Sequence, residues 1–472
     1  MSLETAFIES SSAWRMGTVG ETGRYVNGLA FKPSDWHDSG MPIIRIQNLT
    51  DQSKPFNRTT KTVDPIYVVQ PGDILVSWSA TLDAFIWDRE PAILNQHIFK
   101  VIPDSVKVTK RYLFYALKRA IAEMKKTEHL HGSTMKHINR APFMAHVLPI
   151  PPLAEQEHLV GEIEKHFSRL DQAVANLKRV QSNLKRYKGA VLKAAVEGRL
   201  VETEAELVRR EGRNYETGAQ LLQRILETRR TQWKGKGEYK EPVAPDTTDL
   251  PELPEGWVWV ASEQVCDPIA SGSTPVAADM YADTGEIPFI KVYNLNFDGS
   301  LDFTVKPTFI KQATHEGLLK RSRVLPGDVL TNIVGPPLGK ISIVPNNHAE
   351  WNINQAIVTF RTTHGIENRL LAIWLMSTPV LDRLERTAKA TAGQFNLQVT
   401  TCRNLAIPLP PRAEQFRIVA EVDRRLSLTR EVESQVDFNL QRAGQLRQAV
   451  LNDAFSGYNS RTNRIGEESG RH

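Results

Sequence analysis

The chain has 472 residues, of which 41% are hydrophobic and 24% charged, and it carries a formal net charge of +5. This length predicts about two to four domains, and the composition excludes a globally disordered chain. The basic balance permits binding to a polyanion without establishing it. The two cysteines are too few for a disulfide framework or a metal cluster, which indicates a reducing cytoplasm. Neither a signal peptide nor an apolar stretch of about 18 residues is evident, so we expect no membrane span.

Residues 1–148 are predicted to form a first globular unit in which strands precede a helix. That order indicates the α+β class. Short β-branched runs bounded by Gly, Pro and Asn predict strands at Ile43–Ile46, Ile66–Val69, Ile74–Trp78 and His97–Ile102, before a helix near Lys110–Lys126. The cations of this helix either form a phosphate-binding surface or lie on a solvated face; they are Lys110, Arg111, Lys118, Arg119, Lys125 and Lys126.

Residues 149–200 are predicted to form a long spacer helix. Its apolar residues fall alternately three and four apart over more than about four heptads, which is typical of a coiled coil. The seam consists of Val160, Ile163, Phe167, Leu170, Val174, Leu177, Leu184 and Val191, with Gln181 and Lys188 as polar interruptions. An alternative is that each long helix is amphipathic and packs on its own globular unit, although about 44 residues is long for such a helix.

Residues 201–252 are predicted to contain a short helix and a flexible linker. Apolar residues spaced for a helix occur between Glu216 and Trp233, and the linker follows from Lys234 onward, with a Pro-rich part from Pro242 to Pro254. The sequence assigns no function to the insert 202–240, for which subunit docking is a hypothesis.

A second globular unit and a second spacer helix follow, at 253–405 and 406–459, before a tail at 460–472 that is predicted to be disordered. The expected strands are Ile287–Val292, Val329–Val334, Ile341–Val344 and Ala356–Phe360, and one helix is expected at Ile366–Arg386. The second seam consists of Val419, Val422, Leu426, Val436, Leu440 and Val450, interrupted by Thr429, Glu433 and Arg447.

The two halves repeat each other. Pro149–Gln156 returns as Pro408–Gln415, and this offset of 259 residues holds through the spacer helices. A period this long indicates a duplicated domain rather than a solenoid. Antiparallel pairing of the two helices would place the globular units at opposite ends of a pseudo-twofold molecule. Parallel pairing would place them at one end, and the connection at 201–252 is long enough for either.

Two short motifs recur within the globular units. Asn95-Gln96 matches Asn354-Gln355, and Asn and Gln can contact adenine through two hydrogen bonds in the major groove. A residue shared by copies that read different sequences is better suited to a turn or to the phosphate backbone, so both roles stay open. Pro-Gly-Asp, at 71–73 and 326–328, predicts a turn before a strand.

Motifs for catalysis are missing from the sequence. Gly335-Pro336-Pro337-Leu338 lacks both ends of the Asn/Asp-Pro-Pro-aromatic motif of amino methyltransferases. The glycines before Lys340 have the wrong spacing for a P-loop, and the histidines show no zinc spacing. We therefore expect no catalytic site and no metal site in this chain, while a stand-alone nuclease or methyltransferase is kept as a less favoured hypothesis.

The doubled motif Pro-Pro-x-Ala-Glu-Gln, each time followed by heptads, resembles the specificity subunits of type I restriction-modification systems. The segments that carry the resemblance are Leu148–Gln156, Ile407–Gln415, Leu253–Trp257 with Gly272–Pro275, and Asn27–Trp36. The resemblance implies that each globular unit is a target-recognition domain that reads one half of a bipartite DNA sequence. It also implies that the two long helices form an antiparallel coiled coil, which acts as a spacer and as a docking surface for two modification subunits.

The resemblance further implies a cytoplasmic, non-catalytic chain that binds double-stranded DNA and does not bind a membrane. S-adenosylmethionine, ATP and Mg are expected in the partner subunits, which are two modification (methyltransferase) subunits and two restriction subunits. A coiled-coil adaptor with two ligand-binding lobes is the alternative. The candidate DNA-contacting residues are Lys32, Arg45, Gln47, Asn48, Ser79, Asn95, Gln96, His97, Ser133, Thr134, Lys136, Lys291, Asn294, Asn332, Asn354, Gln355, Gln394 and Asn396.

Overall fold

A computed structural model describes residues 14–126, 130–131, 137–235, 237–335, 337–389 and 396–456. The predicted disordered tail at 460–472 lies outside these residues. The chain divides into two units, one formed by Met1–Lys178 with Asp437–His472 and the other by Arg179–Val436. Each long helix therefore contributes one part to each unit, and each unit contains one of the two globular parts.

The globular part of unit 1, which we call domain 1, contains twelve strands and three short or medium helices within the described residues. The strands are β1 (Arg15–Thr18), β2 (Gly23–Asn27), β3 (Met41–Ile44), β4 (Asn57–Thr59), β5 (Val68–Val69), β6 (Ile74–Ser77), β7 (Asp83–Ile86), β8 (Ala92–Leu94), β9 (Ile98–Pro103), β10 (Leu130–His131), β11 (His137–Ile138) and β12 (Val147–Ile150). The helices are α1 (Ile46–Thr50), α2 (Lys110–Met124) and α3 (Arg140–Ala145).

Two four-stranded sheets form the centre of domain 1. Their strand orders are β2-β9-β6-β7 and β4-β3-β8-β5, and β1 pairs separately with β12. All these pairs are antiparallel except β3 with β8, which is parallel. Helix α2 begins after Thr109, whose side chain accepts a hydrogen bond from the Tyr112 N–H, and it buries Leu113 and Leu117 in the main core.

Three helices follow domain 1 in the chain, namely α4 (Leu153–Val196), α5 (Glu204–Glu211) and α6 (Gly218–Thr231). Helix α6 confirms the helix predicted at 216–233, whereas α5 was not predicted. Both helices belong to unit 2. The side chains of Leu221 and Ile225 are buried in its main core, and they lie against Gly365, where an added Cβ would come within 3.1 Å of Leu221.

The globular part of unit 2, which we call domain 2, repeats the topology of domain 1. Its strands are β13 (Val258–Ala261), β14 (Cys266–Ser271), β15 (Met280–Ala282), β16 (Ile287–Ile290), β17 (Thr308–Ile310), β18 (Arg323–Val324), β19 (Val329–Asn332), β20 (Ile341–Ile343), β21 (Trp351–Ile353), β22 (Ile357–Thr362) and β23 (Ala406–Leu409). Its helices are α7 (Ser262–Val265), α8 (Gln312–Glu316), α9 (Asn368–Met376), α10 (Thr378–Lys389) and α11 (Val399–Arg403).

The sheet β14-β22-β19-β20 corresponds to β2-β9-β6-β7, and β17-β16-β21-β18 corresponds to β4-β3-β8-β5, with β15 as an additional edge strand. The pair β13-β23 corresponds to β1-β12. The pair β16 and β21 is again parallel. Strand β12 ends at Ile150 and β23 at Leu409, beyond the boundaries at 148 and 405 that the sequence suggested. Those domain boundaries stay predictions.

One prediction for domain 2 was wrong. Instead of a single helix at 366–386, the structure has α9 and α10, which are separated at Ser377. Pro379 lies in the first turn of α10, where a proline fits, but it could not continue the helix of α9 because it lacks an N–H and crowds the preceding turn. The Ser377 hydroxyl donates to the Trp374 carbonyl at 2.6 Å and closes the end of α9.

The second long helix, α12 (Arg412–Ser456), pairs antiparallel with α4 in each unit. In unit 1, Asp171 forms an ion pair with Arg447, and Leu159 and Ile163 share a core with Leu451 and Phe455. In unit 2, Lys188 pairs with Glu433 at 2.5 Å. The core of unit 2 contains Val191 and Ala195 of α4 together with Ile418 and Val422 of α12.

The predicted seam positions lie on the shielded sides of both long helices. On α4, Val160, Ile163 and Val191 are buried, and Phe167, Leu170, Val174, Leu177, Leu184 and Lys188 are half-buried, whereas Gln181 is exposed. On α12, Val422, Thr429 and Val436 are buried, and Val419, Leu426, Glu433, Leu440, Arg447 and Val450 are half-buried. None of the helices in the described ranges is long and apolar enough to span a bilayer.

Candidate nucleic-acid interface

Several strand ends of domain 1 meet at one edge. Strands β3 and β8 are parallel, with Ile44 opposite Leu94, so the residues that follow them lie side by side. Strand β6 ends at Ser77, opposite the first residue of β9, and the N–H of Trp78 donates to the His97 carbonyl at 3.2 Å. We call residues 45–49, 78–79 and 95–97 the strand-end loops of domain 1. Ligands of open sheets with parallel strands commonly bind at such carboxyl ends.

Domain 2 has the same arrangement. Ile290 and Ile353 are opposite each other at the ends of the parallel pair β16 and β21. The N–H of Ile333, after β19, donates to the Ala356 carbonyl at 2.9 Å, as Trp78 does to His97. Residues 291–295, 333–334 and 354–356 are therefore the strand-end loops of domain 2.

Two of the candidate residues, Asn48 and Asn294, are buried anchors of these loops. The side-chain oxygen of Asn48 accepts from the Arg45 N–H at 3.0 Å, and its amide nitrogen donates to the carbonyls of Lys54 and Pro55. Asn294 accepts from the Lys291 N–H at 2.9 Å and donates to two carbonyls in the same way. Because these amides are used within the fold, their placement favours a structural role over DNA contact.

Asn332 and Ser79 are also buried. The Asn332 amide accepts from the Lys340 N–H and donates to the Pro337 carbonyl, both at 3.0 Å, so it crosses the turn between β19 and β20. Ser79 is 5% exposed, and its backbone pairs with His137. The contacts of the Asn332 amide and the burial of Ser79 favour structural roles for these two residues.

The remaining described candidates are accessible to a ligand. Lys32, Gln47, Gln96, Gln355 and Asn396 are exposed, and Arg45, Asn95, His97, Lys291 and Asn354 are half-buried. All but Lys32 and Asn396 belong to the strand-end loops. The backbone of Asn396 pairs with Val334 of these loops, and Lys32 follows Leu29, whose backbone pairs with Asn95. Ser133, Thr134, Lys136 and Gln394 lie outside the described residues.

Sequence reasoning missed the exposed aromatic side chains near these loops. Tyr293 lies between two of the candidates, Lys291 and Asn294, and is 37% exposed. Trp36 is 39% exposed, and the Arg45 guanidinium lies 5.5 Å from the centre of its ring. For Tyr293 the available signal was an aromatic residue directly after the predicted strand Ile287–Val292.

The cations of the predicted helix at 110–126 are mostly paired with carboxylates of unit 1. Lys110 pairs with Asp73, Arg111 with Glu164, Lys118 with Asp83 and Arg119 with Glu123. Lys125 and Lys126 are exposed. Because neighbouring carboxylates neutralise four of the six charges, the contacts favour the solvated-face interpretation of this helix over a phosphate-binding surface.

The recurring Pro-Gly-Asp segment forms the predicted turn in both domains. Gly72 and Gly327 adopt φ of 89° and 91°, a conformation that favours glycine. The Asp73 carboxylate accepts from the Gln70 N–H at 2.9 Å, and Asp328 accepts from the Leu325 N–H at 2.8 Å. Each of these aspartates also pairs with a cation of the adjacent strand, which closes the turn.

The recurring Glu-Gln pair joins each spacer helix to its own domain. In the first joint, the buried Gln156 accepts from the N–H of Thr109 at 2.7 Å, at the start of α2. Its amide nitrogen donates to the carbonyls of Lys107 and Pro151. Glu155 accepts from the indole of Trp14. The joint therefore satisfies backbone groups of the domain with side chains from the first turn of α4.

The second joint repeats these contacts in domain 2. Gln415 accepts from the Glu367 N–H at 3.1 Å and donates to the carbonyls of Gly365 and Pro410. Glu414 accepts from the Trp257 indole at 3.0 Å. The doubled motif thus has a defined physical task, which is to attach each long helix to its own globular domain.

Helix α5 adds further contacts to the second joint. The N–H of Glu204 donates to Glu414 at 2.8 Å, and the Glu204 carboxylate pairs with Arg417 and Arg213. Burial raises the pKa of Glu414 to about 6, against hydrogen bonds from Glu204 and Trp257 that lower it. Burial also acts to raise the pKa of Glu204, but the hydrogen bonds from Arg417 and Arg213 outweigh it and leave that pKa lowered.

Within the described part of the chain, no group of three or more His, Cys, Asp or Glu side chains could hold a metal ion. Both cysteines, Cys266 and Cys402, are buried and unpaired with each other. Burial raises the pKa of each thiol, which keeps both in the unreactive neutral form.

Comparison with known proteins agrees with this duplicated architecture. Residues 11–186 and 254–436 match the family described as "Type I restriction modification DNA specificity domain". The specificity subunit of the type I restriction enzyme EcoBI of Escherichia coli is 27% identical over 454 residues, which are 94% of this chain and 86% of that protein. The EcoKI specificity subunit of E. coli strain K12 is 22% identical over 468 residues, covering 94% of this chain and 89% of that subunit.

Two solved structures share the fold. A chain from a study of complex assembly and conformational transition in the type I R-M system aligns with a TM-score of 0.61 at 17% identity, covering 95% of this chain and 99% of that one. The HsdS subunit of Thermoanaerobacter tengcongensis aligns with a TM-score of 0.50, also at 17% identity, over 95% of this chain and 98% of that one. Since the family match covers both halves of the sequence, the chain belongs to the type I restriction-modification DNA specificity family.

Proposed function

We propose that this chain is the DNA specificity subunit of a type I restriction-modification complex, in which domains 1 and 2 each read one half of a bipartite target. The observation that carries this proposal is the repetition of one two-sheet domain with equivalent strand-end loops. The family match covers both copies. Two copies with the same scaffold but different exposed residues suit two half-sites of different sequence.

The proposal extends to partners. The relatives are named as subunits of type I restriction enzymes, which supports an assembly with two modification subunits that methylate adenine and two restriction subunits. In this proposal the chain itself has no catalytic role. S-adenosylmethionine, ATP and Mg bind to the partner subunits, and the complex acts on DNA in the cytoplasm.

Co-expression with a modification subunit, followed by sequencing of methylated bases in the host DNA, tests the proposal. We expect methylated adenines within one bipartite sequence, and none when this chain is omitted. Methylation at unrelated sites, or none with both subunits present and folded, would contradict the proposal. The chain purified alone should neither cleave nor methylate labelled DNA, and activity of the chain alone would instead support a stand-alone enzyme.

The salt dependence of DNA affinity distinguishes a DNA-reading subunit from the alternative, a coiled-coil adaptor with two ligand-binding lobes. A DNA-binding complex loses affinity steeply with added salt, because the protein's cations release counterions from the phosphates. We expect the assembled complex to bind a duplex with its own bipartite sequence, and to weaken by at least about tenfold between 50 and 200 mM salt. An adaptor without a DNA role would show no such binding.

A further inference from the structure

The loop after the first parallel strand has an asparagine in both domains and a cation in both, but it differs in chemistry at one exposed position. In domain 1 it contains Arg45, Gln47 and Asn48, and in domain 2 Lys291, Tyr293 and Asn294. We propose that Gln47 and Tyr293 read bases, that Arg45 and Lys291 bind a phosphate, and that the two asparagines only hold the loop in place. This inference rests on the proposed function and assigns residues to it.

The asparagines establish that the two loops are equivalent. Asn48 and Asn294 are 1% and 0% exposed, and each accepts from the N–H of the residue three positions earlier. Each also donates to two carbonyls of the segment that leads to the next strand. Since identical contacts fix both loops, the other loop residues can be compared position by position.

The cations occupy the first loop position in both domains. Arg45 and Lys291 directly follow β3 and β16, and both are half-buried. Neither forms an ion pair with a carboxylate of the described residues, and Arg45 lies over the ring of Trp36. A cation kept by copies that read different sequences suits the phosphate backbone, which is present at every sequence.

The residue before the asparagine is exposed in both domains but differs in chemistry. The Gln47 side chain has no hydrogen-bond partner among the described residues, so both of its polar ends are free for a ligand, and a glutamine amide matches the N6 and N7 edge of adenine. The Tyr293 hydroxyl donates to the Lys306 carbonyl at 3.1 Å. Its ring is thereby held in place, and its apolar edge is available to a base, for which a thymine methyl group is the best match.

The experiment uses the co-expressed complex and measures the methylated sequence and the affinity for duplexes with single base changes. For Gln47→Ala we expect discrimination at one base pair of the first half-site to fall by about 5- to 150-fold, with the second half-site unchanged. Tyr293→Ala should relax the second half-site alone. Gln47→Glu, which keeps the shape but removes the donor, should also lose the adenine preference.

For Arg45→Ala we expect weaker binding to every sequence, a salt slope reduced by about one unit, and the same base preferences. Gln70→Ala is the matched control. It removes an exposed glutamine beside the turn at the opposite end of β6 and should change none of these quantities.

The outcomes separate this inference from the proposed function. If the wild-type complex methylates no bipartite sequence, the proposed function itself is wrong. If it does, but Gln47→Ala and Gln47→Glu leave the first half-site unchanged, the assignment of base reading to this loop is wrong. A uniform loss of affinity in Gln47→Ala, or an altered base preference in Arg45→Ala, would overturn the division of roles.

Discussion

The two joints between spacer helix and domain share their hydrogen bonds but differ in how deeply they are buried. Glu155 is half-buried beside Trp14, whereas Glu414 is 0% exposed beside Trp257. The difference arises from α5, which places the backbone of Glu204 against Glu414. A repeated motif can therefore keep the same hydrogen bonds while a neighbouring helix, here α5, buries one of its side chains more deeply.

The largest expected effect is the loss of the glutamine in either joint. Gln156→Ala and Gln415→Ala each leave one partly buried N–H and two carbonyls without their partner, so we expect the free energy of unfolding to fall by about 3 kcal/mol. Hydrogen exchange should reveal the site of the loss. The Thr109 N–H should exchange faster in the first variant and the Glu367 N–H in the second.

Gln172→Ala is the control for these variants, because Gln172 is exposed on the same helix as Gln156. It should change stability by less than about 0.5 kcal/mol. Unchanged protection of Thr109 in Gln156→Ala would show that the joint does not depend on this amide.

The tryptophans test whether burial makes the second joint more sensitive. Trp257→Phe removes a donor from a fully buried carboxylate, whereas Trp14→Phe removes one from a carboxylate that water can reach. We expect losses of about 2 kcal/mol and about 1 kcal/mol, measured by urea unfolding of each variant. Equal losses would indicate that α5 has no influence on the strength of the joint.

The raised pKa of Glu414 predicts a pH dependence specific to the second joint. As pH rises from about 4.5 to about 6, this carboxyl loses its proton in the unfolded chain before it does so in the folded protein. Its contribution to stability is therefore fully present below the unfolded pKa and declines as pH rises through the folded pKa.

Glu414→Gln removes that decline. The free energy of unfolding of the wild type minus that of the variant should fall by about 1–2 kcal/mol between pH 4.5 and pH 6.5. The lowered pKa of Glu204 acts in the opposite direction, but it is present in both proteins and largely cancels in the difference. A difference that stays constant across this window would contradict the prediction.

The smallest expected effects come from two ion pairs between the long helices, Lys188 with Glu433 and Asp171 with Arg447. Lys188 and Glu433 both occupy seam positions, and the residue that corresponds to Glu433 in the first helix is Val174. Replacing the pair by Lys188→Met with Glu433→Val should change stability by less than about 1 kcal/mol, because apolar packing replaces a partly buried pair.

Arg447→Ala should cost slightly more, about 1 kcal/mol, because the Arg447 guanidinium also packs 4.9 Å from the ring centre of Phe167. Urea unfolding of single and double variants measures both cases. A loss above about 3 kcal/mol for either pair would show that these charges are far more important to the helix pair than their exposure indicates.

Features that repeat along the chain could be predicted from the sequence. The heptads of α4 and α12 identified long paired helices, because only one side of each helix is shielded and only that side needs apolar residues. The shared Pro-Gly-Asp predicted two turns for a similarly local reason, namely that the glycine conformation and the aspartate contact both lie within a few residues.

Other features had a sequence signal that was overlooked. Pro379 marked the break between α9 and α10, and Thr203 with Glu206 forms the capping box that begins α5. A helix as short as α5 lacks enough turns for a clear apolar period, so its cap was the better indicator.

The roles of the candidate site residues could not be separated from sequence alone. Gln47 and Asn48 are neighbours of similar chemistry, yet one is exposed and the other is buried by carbonyls at Lys54 and Pro55. That distinction depends on how the loop closes, which is a property of the folded domain rather than of local spacing.

Each joint glutamine bonds to main-chain atoms of its domain, at residues 107 and 109 in one case and 365 and 367 in the other. Main-chain atoms are the same for every amino acid except proline, which lacks the N–H. The attachment is therefore insensitive to most substitutions in the domain it holds, and the strand-end loops can change in sequence without weakening it.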